Sequence, residues 1–438
     1  MGRRRRYVPL NVFLNSRLVG QLLRESSGAI SFKYDNTWLE WQNTLPISMS
    51  LPLRKDRYIG APVIAVFENL LPDNEPIRRR VAERVGAQGT DAFSLLSEIG
   101  RDCVGALQFL PEDDEPQAVG TLTGEPLSEN QIGVMLRELD VVPLGIRSEN
   151  DFRLSLAGAQ DKTALLYHNG QWMRPGGTTP TTHILKPQIG KLPNGMDLSN
   201  SVENEYLCMK LMENFGLRTA QTEMKTFGDQ KALVIERFDR LWTRDGRLLR
   251  LPQEDCCQAL SIPPTRKYQN EGGPGIVEIM ELLRASDDPT QDRQDFFKAN
   301  ILFWLMGATD GHAKNFSIGL LPGGRFRLTP LYDVLTVQPT VDAGRIEPKD
   351  FKLAMRMGKS HHYKVNDVLG RHILQTGLQA GLSKELVGQV FEEIHAQAKN
   401  AIANTFDNLP VGFPEPLTTS IAGAVEERLT RLVVQDAD

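Results

Sequence analysis

The spacing of hydrophobic residues divides the chain into a strand-rich first half and a mainly helical second half. Short alternating runs such as LVGQLLRESSGAISFKY predict antiparallel strands, and Asn169-Gly170 between two further runs is typical of a type I′ hairpin. One prominent helix is predicted in this half, in NSVENEYLCMKLMENFG, with Gly216 as its C-terminal stop. Later segments such as DRQDFFKANILFWLMGA have helical spacing, interrupted by a hairpin about Pro322-Gly323-Gly324. The pattern predicts an α+β fold.

The length of 438 residues is too great for one ordinary compact core and favours roughly two or three domains. A boundary is indicated by PEDDEPQAVGTLTGEP, which is acidic and rich in Pro, Gly and Thr. We therefore divide the chain into a strand-rich subdomain at 1–112, a linker at 113–150, a second α/β part at 151–240 and a mainly helical part at 241–438.

Composition narrows the class of protein without defining its chemistry. Hydrophobic content of 40% and charged content of 24% are typical of a soluble globular protein. The net charge of −5 argues against a surface that binds nucleic acid throughout. The start MGRRRRYVPL lacks the apolar region of a secretory signal, and no apolar stretch is long enough to cross a bilayer. The four cysteines have no CxxC spacing, so we expect reduced thiols in a cytoplasmic protein.

The segment ATDGHAKNF, directly after the apolar run FWLMG, concentrates ionisable side chains at the end of a predicted buried helix. Asp310 and Asn315 have the D-x-x-x-x-N spacing of protein-kinase catalytic loops, and Asp333 in LYDV follows where a kinase has its metal-binding Asp. Upstream, Lys186 ends a strand and Glu205 lies on the next helix, as in the kinase Lys–Glu pair. Phosphoryl transfer requires a carboxylate near the acceptor, oxygen ligands for Mg²⁺ and a cation on the phosphates. The order of these residues predicts a kinase-like enzyme that uses ATP.

The same segments depart from common nucleotide-binding motifs. The run AGAQDK has only Gly158 where eukaryotic kinases have a glycine-rich loop, Thr309 precedes Asp310 in place of HRD, and Val334 follows Asp333 in place of DFG. A Walker A loop is excluded because Asp161, not glycine, precedes Lys162. The enzyme is therefore predicted to lie outside the common eukaryotic pattern.

Several longer motifs, in order along essentially the whole chain, carry a resemblance to a known family. They are FSLLSEIGRDCVGALQFLPED, ENDFRLSLAGAQDKTALL, PTTHILKPQIG, ERFDR, LRLPQEDCCQAL, GGPGI, ATDGHAKNFSI and LTPLYDV. The chain resembles the HipA family, bacterial serine/threonine-protein kinases that act as toxins of type II toxin–antitoxin pairs. The resemblance implies a two-lobed protein-kinase-like fold, with a mixed α/β N-terminal lobe and a mainly α-helical C-terminal lobe.

The resemblance also implies roles for individual residues. Asp310 is the expected catalytic base, Asn315 and Asp333 the expected Mg²⁺ ligands, and Lys186 the expected phosphate contact, with a further ion pair to Glu205. Ser155 resembles the family's autophosphorylated serine, whose added charge would repel ATP phosphates nearby. The remaining expected nucleotide-binding residues are Ala157, Gly158, Ala159, Gln160, Asp161, Lys162, Glu236, Arg237, Phe238, His312, Lys314 and Tyr332.

The partners implied by the resemblance are a small HipB-like helix-turn-helix antitoxin and operator DNA, contacted mainly through that antitoxin. A translation protein is the implied substrate, with glutamyl-tRNA synthetase the leading candidate. The implied location is the cytoplasm, in association with the nucleoid when the antitoxin and DNA are bound.

Non-catalytic interpretations of several residues and two rival functions stay open at this point. Asp310 alone could be a polar residue ending a helix, Ser155 a strand serine, and Glu205 a solvated helix residue. The basic run Arg78 to Arg80 is expected to be solvated surface. One rival function is a catalytically silent, kinase-like corepressor. The other is a metal-dependent phosphatase or hydrolase that uses Asp310, His312 and Asp333.

Overall fold

A computed structural model describes residues 7–146, 153–158, 160–191 and 197–433. Over these residues the chain forms two compact units, each assembled from separate stretches. The first unit comprises Met1–Pro187, Lys225–Thr265 and Ile318–Arg325, and the second comprises Gln188–Met224, Arg266–Ser317 and Phe326–Asp438. The four-part division predicted from the sequence stays a prediction.

The strands are β1 Leu10–Leu14, β2 Arg17–Arg24, β3 Ile30–Tyr34, β4 Tyr58–Ile59, β5 Leu107–Pro111, β6 Gly124–Leu127, β7 Thr163–His168, β8 Gln171–Pro175, β9 His183–Pro187, β10 Gly190–Lys191, β11 Asp197–Leu198, β12 Thr222–Phe227, β13 Gln230–Glu236, β14 Arg240–Trp242, β15 Leu248–Arg250, β16 Gln253–Asp255, β17 Ser317–Leu321, β18 Arg325–Leu328, β19 Lys352–Met357 and β20 His362–Lys364.

The helices are α1 Asn36–Leu39, α2 Ala61–Glu68, α3 Glu75–Val85, α4 Ala92–Ile99, α5 Glu129–Arg137, α6 Ser201–Asn214, α7 Cys256–Ala259, α8 Ile276–Leu282, α9 Pro289–Met306, α10 Gln338–Asp342, α11 Gly370–Gln379, α12 Lys384–Asp407 and α13 Glu415–Leu429. Short 3₁₀ turns connect some of them, among them Gln269–Glu271 and Ala313–Asn315.

Two antiparallel sheets organise the first unit. The five-stranded sheet has the order β4-β3-β2-β1-β5, and the larger sheet has the order β13-β9-β7-β8-β6 next to the Lys225–Phe227 part of β12. The predicted hairpin joins β7 to β8, where Asn169 and Gly170 both have positive φ, at 49° and 78°, as a type I′ turn requires. Helix α5 covers the larger sheet and buries Ile132 and Leu136 against Trp172 and Phe227. The segment predicted as a linker, 113–150, thus contributes a strand and a helix to this core.

The second unit is mainly helical, as the periodicity predicts. Helix α9 is its centre, because every residue from Phe296 to Met306 is buried. Helix α6 ends as expected, with Gly216 at φ 83° directly after its last turn. No helix in the described part of the chain is long and apolar enough to cross a membrane.

Two other expectations have different outcomes. All four cysteines are buried free thiols, as their spacing predicts. The prediction of a solvated Arg78 is wrong, because its guanidinium is buried, forms an ion pair with Glu68 and donates to the Pro72 carbonyl at 2.5 Å. The position of Arg78 on the inner face of α3 explains the difference.

Candidate active site

The end of helix α9 fixes the backbone that presents Asp310. The helix terminates at Gly307, whose φ of 69° reverses the chain, and the Ala308 N–H returns to the Phe303 carbonyl at 2.8 Å. The Thr336 hydroxyl donates to the carbonyls of Met306 and Gly307 at 2.6 and 3.0 Å. These bonds satisfy carbonyls that a helix end otherwise leaves without partners. A rigid, buried helix therefore anchors the ionisable segment that follows it.

Hydrogen bonds within the loop hold Asp310 at its backbone and leave its carboxylate exposed. The Asn315 side-chain Nδ2 donates to the Asp310 carbonyl at 2.7 Å, and the His312 N–H donates to the same carbonyl at 2.8 Å. The Asp310 side chain is 56% exposed, whereas that of His312 is 4% exposed. The spacing of Asp310 and Asn315 thus lets the Asn315 side-chain amide bind the backbone of the loop that carries the Asp310 carboxylate.

Tyr268 contacts this loop and was not found from the sequence. Its hydroxyl donates to Asp310 Oδ1, and its ring packs edge-on against His312 at a centroid distance of 4.9 Å. His312 Nε2 lies 3.8 Å from the same Asp310 oxygen. Tyr268 belongs to the irregular segment PPTRKYQN, which has no periodicity or motif that distinguishes it.

Lys314 and Tyr332 form a second layer behind the loop. Lys314 is buried, and its carbonyl accepts a 2.8 Å hydrogen bond from the Tyr332 hydroxyl. That hydroxyl also lies 2.5 Å from Ser317 Oγ, so it connects the loop to the start of β17. Tyr332, directly before Asp333, is therefore hydrogen-bonded to the loop that contains Asn315.

Asp333 has an unusual backbone conformation, with φ at 60°. Asp is among the few residue types that tolerate this left-handed region, and such positions concentrate at functional sites. The preceding residue pair is fixed by backbone bonds, because Leu331 donates to Arg218 and accepts from Ala220, both at 2.8 Å. The backbone that leads to Asp333 is therefore held by two hydrogen bonds.

Asn315 and Asp333 together offer one amide oxygen and one carboxylate. Asn315 donates through Nδ2 to the Asp310 carbonyl, so a role in binding Mg²⁺ would fall to its amide oxygen. Mg²⁺ prefers oxygen ligands and usually binds through one or two carboxylates plus substrate phosphates. Among the described residues, no group of three or more His, Cys, Asp or Glu forms a metal cage. One amide oxygen and one carboxylate are the kinds of atom that Mg²⁺ binds, so the two side chains fit that ion.

Glu205 is buried on α6, so the interpretation of a solvated helix residue is wrong. Its neighbour Asn204 pairs with the backbone of Thr336, donating to the Thr336 carbonyl at 2.8 Å and accepting from the Thr336 N–H at 3.0 Å. Helix α6 is thereby tied to the segment that follows Asp333. The ion pair of Glu205 with Lys186 stays a prediction.

The other predicted residues lie in the first unit. Lys186 is buried on β9, directly opposite Leu233 of β13. Ser155 is fully buried, and its hydroxyl donates to the Leu70 carbonyl at 2.8 Å. Phosphate cannot be added to Ser155 in this position, because no surface of its side chain is open to solvent.

The predicted nucleotide loop has a compact conformation at Gly158. Lys162 is buried and donates through Nζ to the Ala157 carbonyl at 2.7 Å, and a Cβ at Gly158 would lie 2.5 Å from that Nζ. Gln160 Nε2 donates to the Pro187 carbonyl at 3.1 Å, next to Lys186. Burial raises the pKa of Asp161, and the facing guanidinium of Arg80 at 3.4 Å acts against that increase. Ala159 lies outside the described residues.

The nucleotide-binding residues predicted at Glu236, Arg237 and Phe238 lie beside a buried charge cluster. Glu236 is exposed at the end of β13, whereas Arg237 is buried and pairs with Asp239 at 2.8 Å and with Asp102 at 3.4 Å. Two further buried guanidinium groups contact Asp102, from Arg240 at 2.9 Å and Arg250 at 3.0 Å. The side chain of Arg237 thus lies in the protein interior, whereas Glu236 is exposed and Phe238 is half-buried.

Electrostatics within this cluster keep both carboxylates charged. Burial alone would raise the pKa of Asp102, but Arg240, Arg250 and Arg237 together lower it below its ordinary value. The pKa of Asp239 is lowered in the same way, against the effect of burial, by Arg237 and Arg240. Buried ions are tolerated only when they are paired and hydrogen-bonded, which this cluster achieves.

Two family profiles and several known proteins match this chain. The profile of the HipA N-terminal domain matches residues 10–110, and that of the HipA-like C-terminal domain matches residues 154–402. The putative kinase Y4mE of Sinorhizobium fredii is 40% identical over 354 residues, covering 80% of this chain and 81% of that protein. The serine/threonine-protein kinase toxin HipA of Shewanella oneidensis is 27% identical over 444 residues, covering 97% and 94%.

A solved structure extends the likeness to the fold. HipA in the Shewanella oneidensis MR-1 toxin–antitoxin complex with HipB and operator DNA matches with a TM-score of 0.79 at 25% identity, covering 97% of this chain and 96% of that one. The fold and the candidate site thus define a kinase-like protein with a mixed α/β lobe and a mainly helical lobe. The chain belongs to the HipA family, whose C-terminal profile alone spans more than half of it. The predictions of family, fold class and enzyme class, a protein serine/threonine kinase, are confirmed.

Proposed function

We propose that this chain is an ATP- and Mg²⁺-dependent protein serine/threonine kinase that acts as the toxin of a type II toxin–antitoxin pair. The observation that carries the proposal is the Asp310 loop, in which Asn315 clamps the Asp310 backbone while the carboxylate stays 56% exposed. A catalytic carboxylate needs both a fixed position and access to the acceptor hydroxyl.

The transfer step follows from these side chains. Asp310 accepts the proton of a serine or threonine hydroxyl as that oxygen bonds to the γ-phosphorus of ATP. The bond from this phosphorus to the bridging oxygen breaks, and ADP leaves with its electron pair. His312 and Lys314 are proposed to line the phosphate side, and Lys186 to hold the phosphates in place. The backbone of Glu236 and Phe238 is proposed to form the hinge that reads adenine, with Arg237 between them.

Mg²⁺ fits the donor set of Asn315 and Asp333, which we propose as its protein ligands. When bound, the ion neutralises charge on the phosphates. The left-handed backbone conformation of Asp333 supports this role, since strained backbone positions cluster at functional sites.

We further propose that autophosphorylation of Ser155 inactivates the kinase. Ser155 is fully buried, so the segment 153–158 must leave its place before Ser155 can accept a phosphoryl group. A phosphate with a charge of about −1.5 to −2 could not return to that buried position without great cost. Modification would therefore hold the segment, including Gly158, away from its present conformation.

The proposed partners are a HipB-like helix-turn-helix antitoxin and, mainly through it, operator DNA. The complex of the Shewanella HipA with HipB and its operator supports this part of the proposal. A translation protein, with glutamyl-tRNA synthetase as the leading candidate, is the proposed substrate. The proposed location is the cytoplasm, at the nucleoid when antitoxin and DNA are bound.

The test is the intact mass of the purified, dephosphorylated chain after incubation with Mg-ATP. Asp310→Ala and Ser155→Ala are compared with Asp407→Ala, a matched change at an exposed carboxylate on α12. We expect one added phosphoryl group in the parent and in Asp407→Ala, and none in the other two. Binding of ATP without any transfer, in the parent, would instead support a silent corepressor.

A further inference from the structure

A groove of about 610 Å³ opens beside Asp310 in the second unit. One wall is the turn that contains Tyr268 and Glu271, the other is the hairpin β19–β20, and Thr309 lies between them next to Asp310. Its volume is within the ordinary range for a binding site, roughly 300–1,000 Å³. The hairpin includes the histidine pair that follows Ser360, and His362 lines the groove.

Both walls are fixed by contacts. The Arg356 N–H donates to Gln269 Oε1 at 2.8 Å, which joins the hairpin to the opposite turn. The hairpin tip is held by the Gly358 N–H, which donates to Thr376 Oγ1 at 2.7 Å. The His362 ring stacks on His372 at a centroid distance of 3.8 Å. The groove is therefore a preformed feature and needs no loop closure to exist.

The Tyr268 hydroxyl shows how a hydroxyl reaches Asp310 from this groove. It donates a hydrogen bond to Asp310 Oδ1, which is the contact that an acceptor serine makes before it loses its proton. Tyr268 also lines the groove. A serine presented from the groove would take the same place on the carboxylate, with the Tyr268 hydroxyl displaced.

The charges of the walls discriminate between kinds of ligand. Lys352 and Lys364 are exposed and lie directly opposite each other on the hairpin, whereas Glu271 is exposed on the other wall and Asp367 lies beyond β20. With two lysines and two carboxylates, the lining has no excess of positive charge to attract a continuous polyanion such as a DNA backbone. A polypeptide that carries both signs complements both walls.

We propose that this groove binds the acceptor segment of the protein substrate, an extended peptide with acidic residues toward Lys352 and Lys364 and basic residues toward Glu271. The proposal rests on the proposed kinase function and defines where, and with which charge pattern, the acceptor is selected. Asp310 follows the lining residue Thr309 and would take the proton of the acceptor serine, and the Tyr268 hydroxyl donates to the same carboxylate in the structure.

The experiment uses the full chain, Mg-ATP and a library of short peptides with one central serine flanked by Lys, Glu or Ala. The double variant Lys352→Glu/Lys364→Glu is compared with Glu271→Lys and with Lys399→Glu, a matched reversal on an exposed face of α12. Autophosphorylation is measured in every variant by intact mass.

We expect the parent to favour peptides that carry acidic residues on one side and basic residues on the other. The lysine double variant should lower kcat/KM for acidic-flanked peptides about tenfold, and Glu271→Lys should do so for basic-flanked peptides. Lys399→Glu should match the parent, and autophosphorylation should persist in all variants.

Unchanged peptide preferences in the groove variants would overturn the inference, and so would a parent that autophosphorylates but modifies no peptide. If the lysine double variant keeps its peptide preferences but no longer retains operator duplex in the presence of the proposed antitoxin, the groove binds nucleic acid instead. Absence of every phosphoryl transfer would refute the proposed function itself, and the inference would fall with it.

Discussion

Gly311, directly after Asp310, gives the most quantitative test of how the loop is held. A Cβ at this position would lie 2.2 Å from Phe303 Cδ2 and 2.4 Å from Cε2. Carbon atoms in contact lie about 3.5 Å apart, so Gly311→Ala requires a displacement of about 1.3 Å. The Phe303 ring is buried and packs against Phe316 at 5.7 Å, so the loop must move instead of the ring.

A shift of this size should be evident in the rate before it is evident in folding. Overpacking costs about 1–3 kcal/mol, whereas displacing a catalytic group by about 1 Å lowers the rate by about 100-fold. We therefore expect Gly311→Ala to fold, with a lower Tm, and to autophosphorylate about 100-fold more slowly than the parent. The assay is the initial rate of mass gain with Mg-ATP, beside thermal denaturation.

Two further variants separate the clash from a general effect of alanine. Gly423→Ala on α13 meets no atom within 4 Å, so it should keep the parent rate and gain about 0.5–1 kcal/mol of stability. Phe303→Val removes the clashing ring atoms and should restore part of the rate when combined with Gly311→Ala. A parental rate in Gly311→Ala alone would refute the reasoning that close packing positions Asp310.

Three other changes have expected outcomes. Tyr268→Phe removes the hydroxyl that competes for Asp310, so KM for acceptor peptides should fall about fivefold, as loss of a net ~1 kcal/mol hydrogen bond implies; an increased KM would contradict this role. Burial raises the pKa of Glu254 to about 8, so the folded chain keeps a proton that the unfolded chain releases. Stability should therefore decline from about pH 5 to pH 8, by at most ~1.4 kcal/mol per pH unit, and Glu254→Gln should flatten that decline in thermal denaturation. Asp102→Asn should destabilise the fold by about 3–5 kcal/mol, because three buried guanidinium groups lose a carboxylate, while the exposed control Asp114→Asn should not; equal losses in both would refute the cluster's importance.

Local patterns predicted most elements and part of the site. The helix before Asp310 and the hairpin at Asn169-Gly170 follow from periodicity and turn chemistry, which act between neighbouring residues. The spacing of Asp310 and Asn315 is also local, and the hydrogen bond from the Asn315 side-chain amide to the Asp310 carbonyl shows what that spacing provides.

Contacts between distant segments could not be predicted in this way. Tyr268 reaches Asp310 across 42 positions, and nothing in its own neighbourhood indicates that partner. Arg237 reaches Asp102 across 135 positions, and charged residues without a known partner are most simply read as solvated. The same limitation explains the wrong predictions for Arg78 and Glu205, whose burial depends on the tertiary structure around α3 and α6.

The Asp102 cluster has a consequence for separating the two parts of the chain that match the HipA profiles. Asp102 lies within the N-terminal match at residues 10–110, whereas Arg237, Arg240 and Arg250 lie within the C-terminal match at 154–402. A C-terminal part expressed alone would lack Asp102. Asp239 would then be the one carboxylate of the cluster left for three guanidinium groups. We therefore expect a truncation that separates the two matched parts to lower the stability of the C-terminal part.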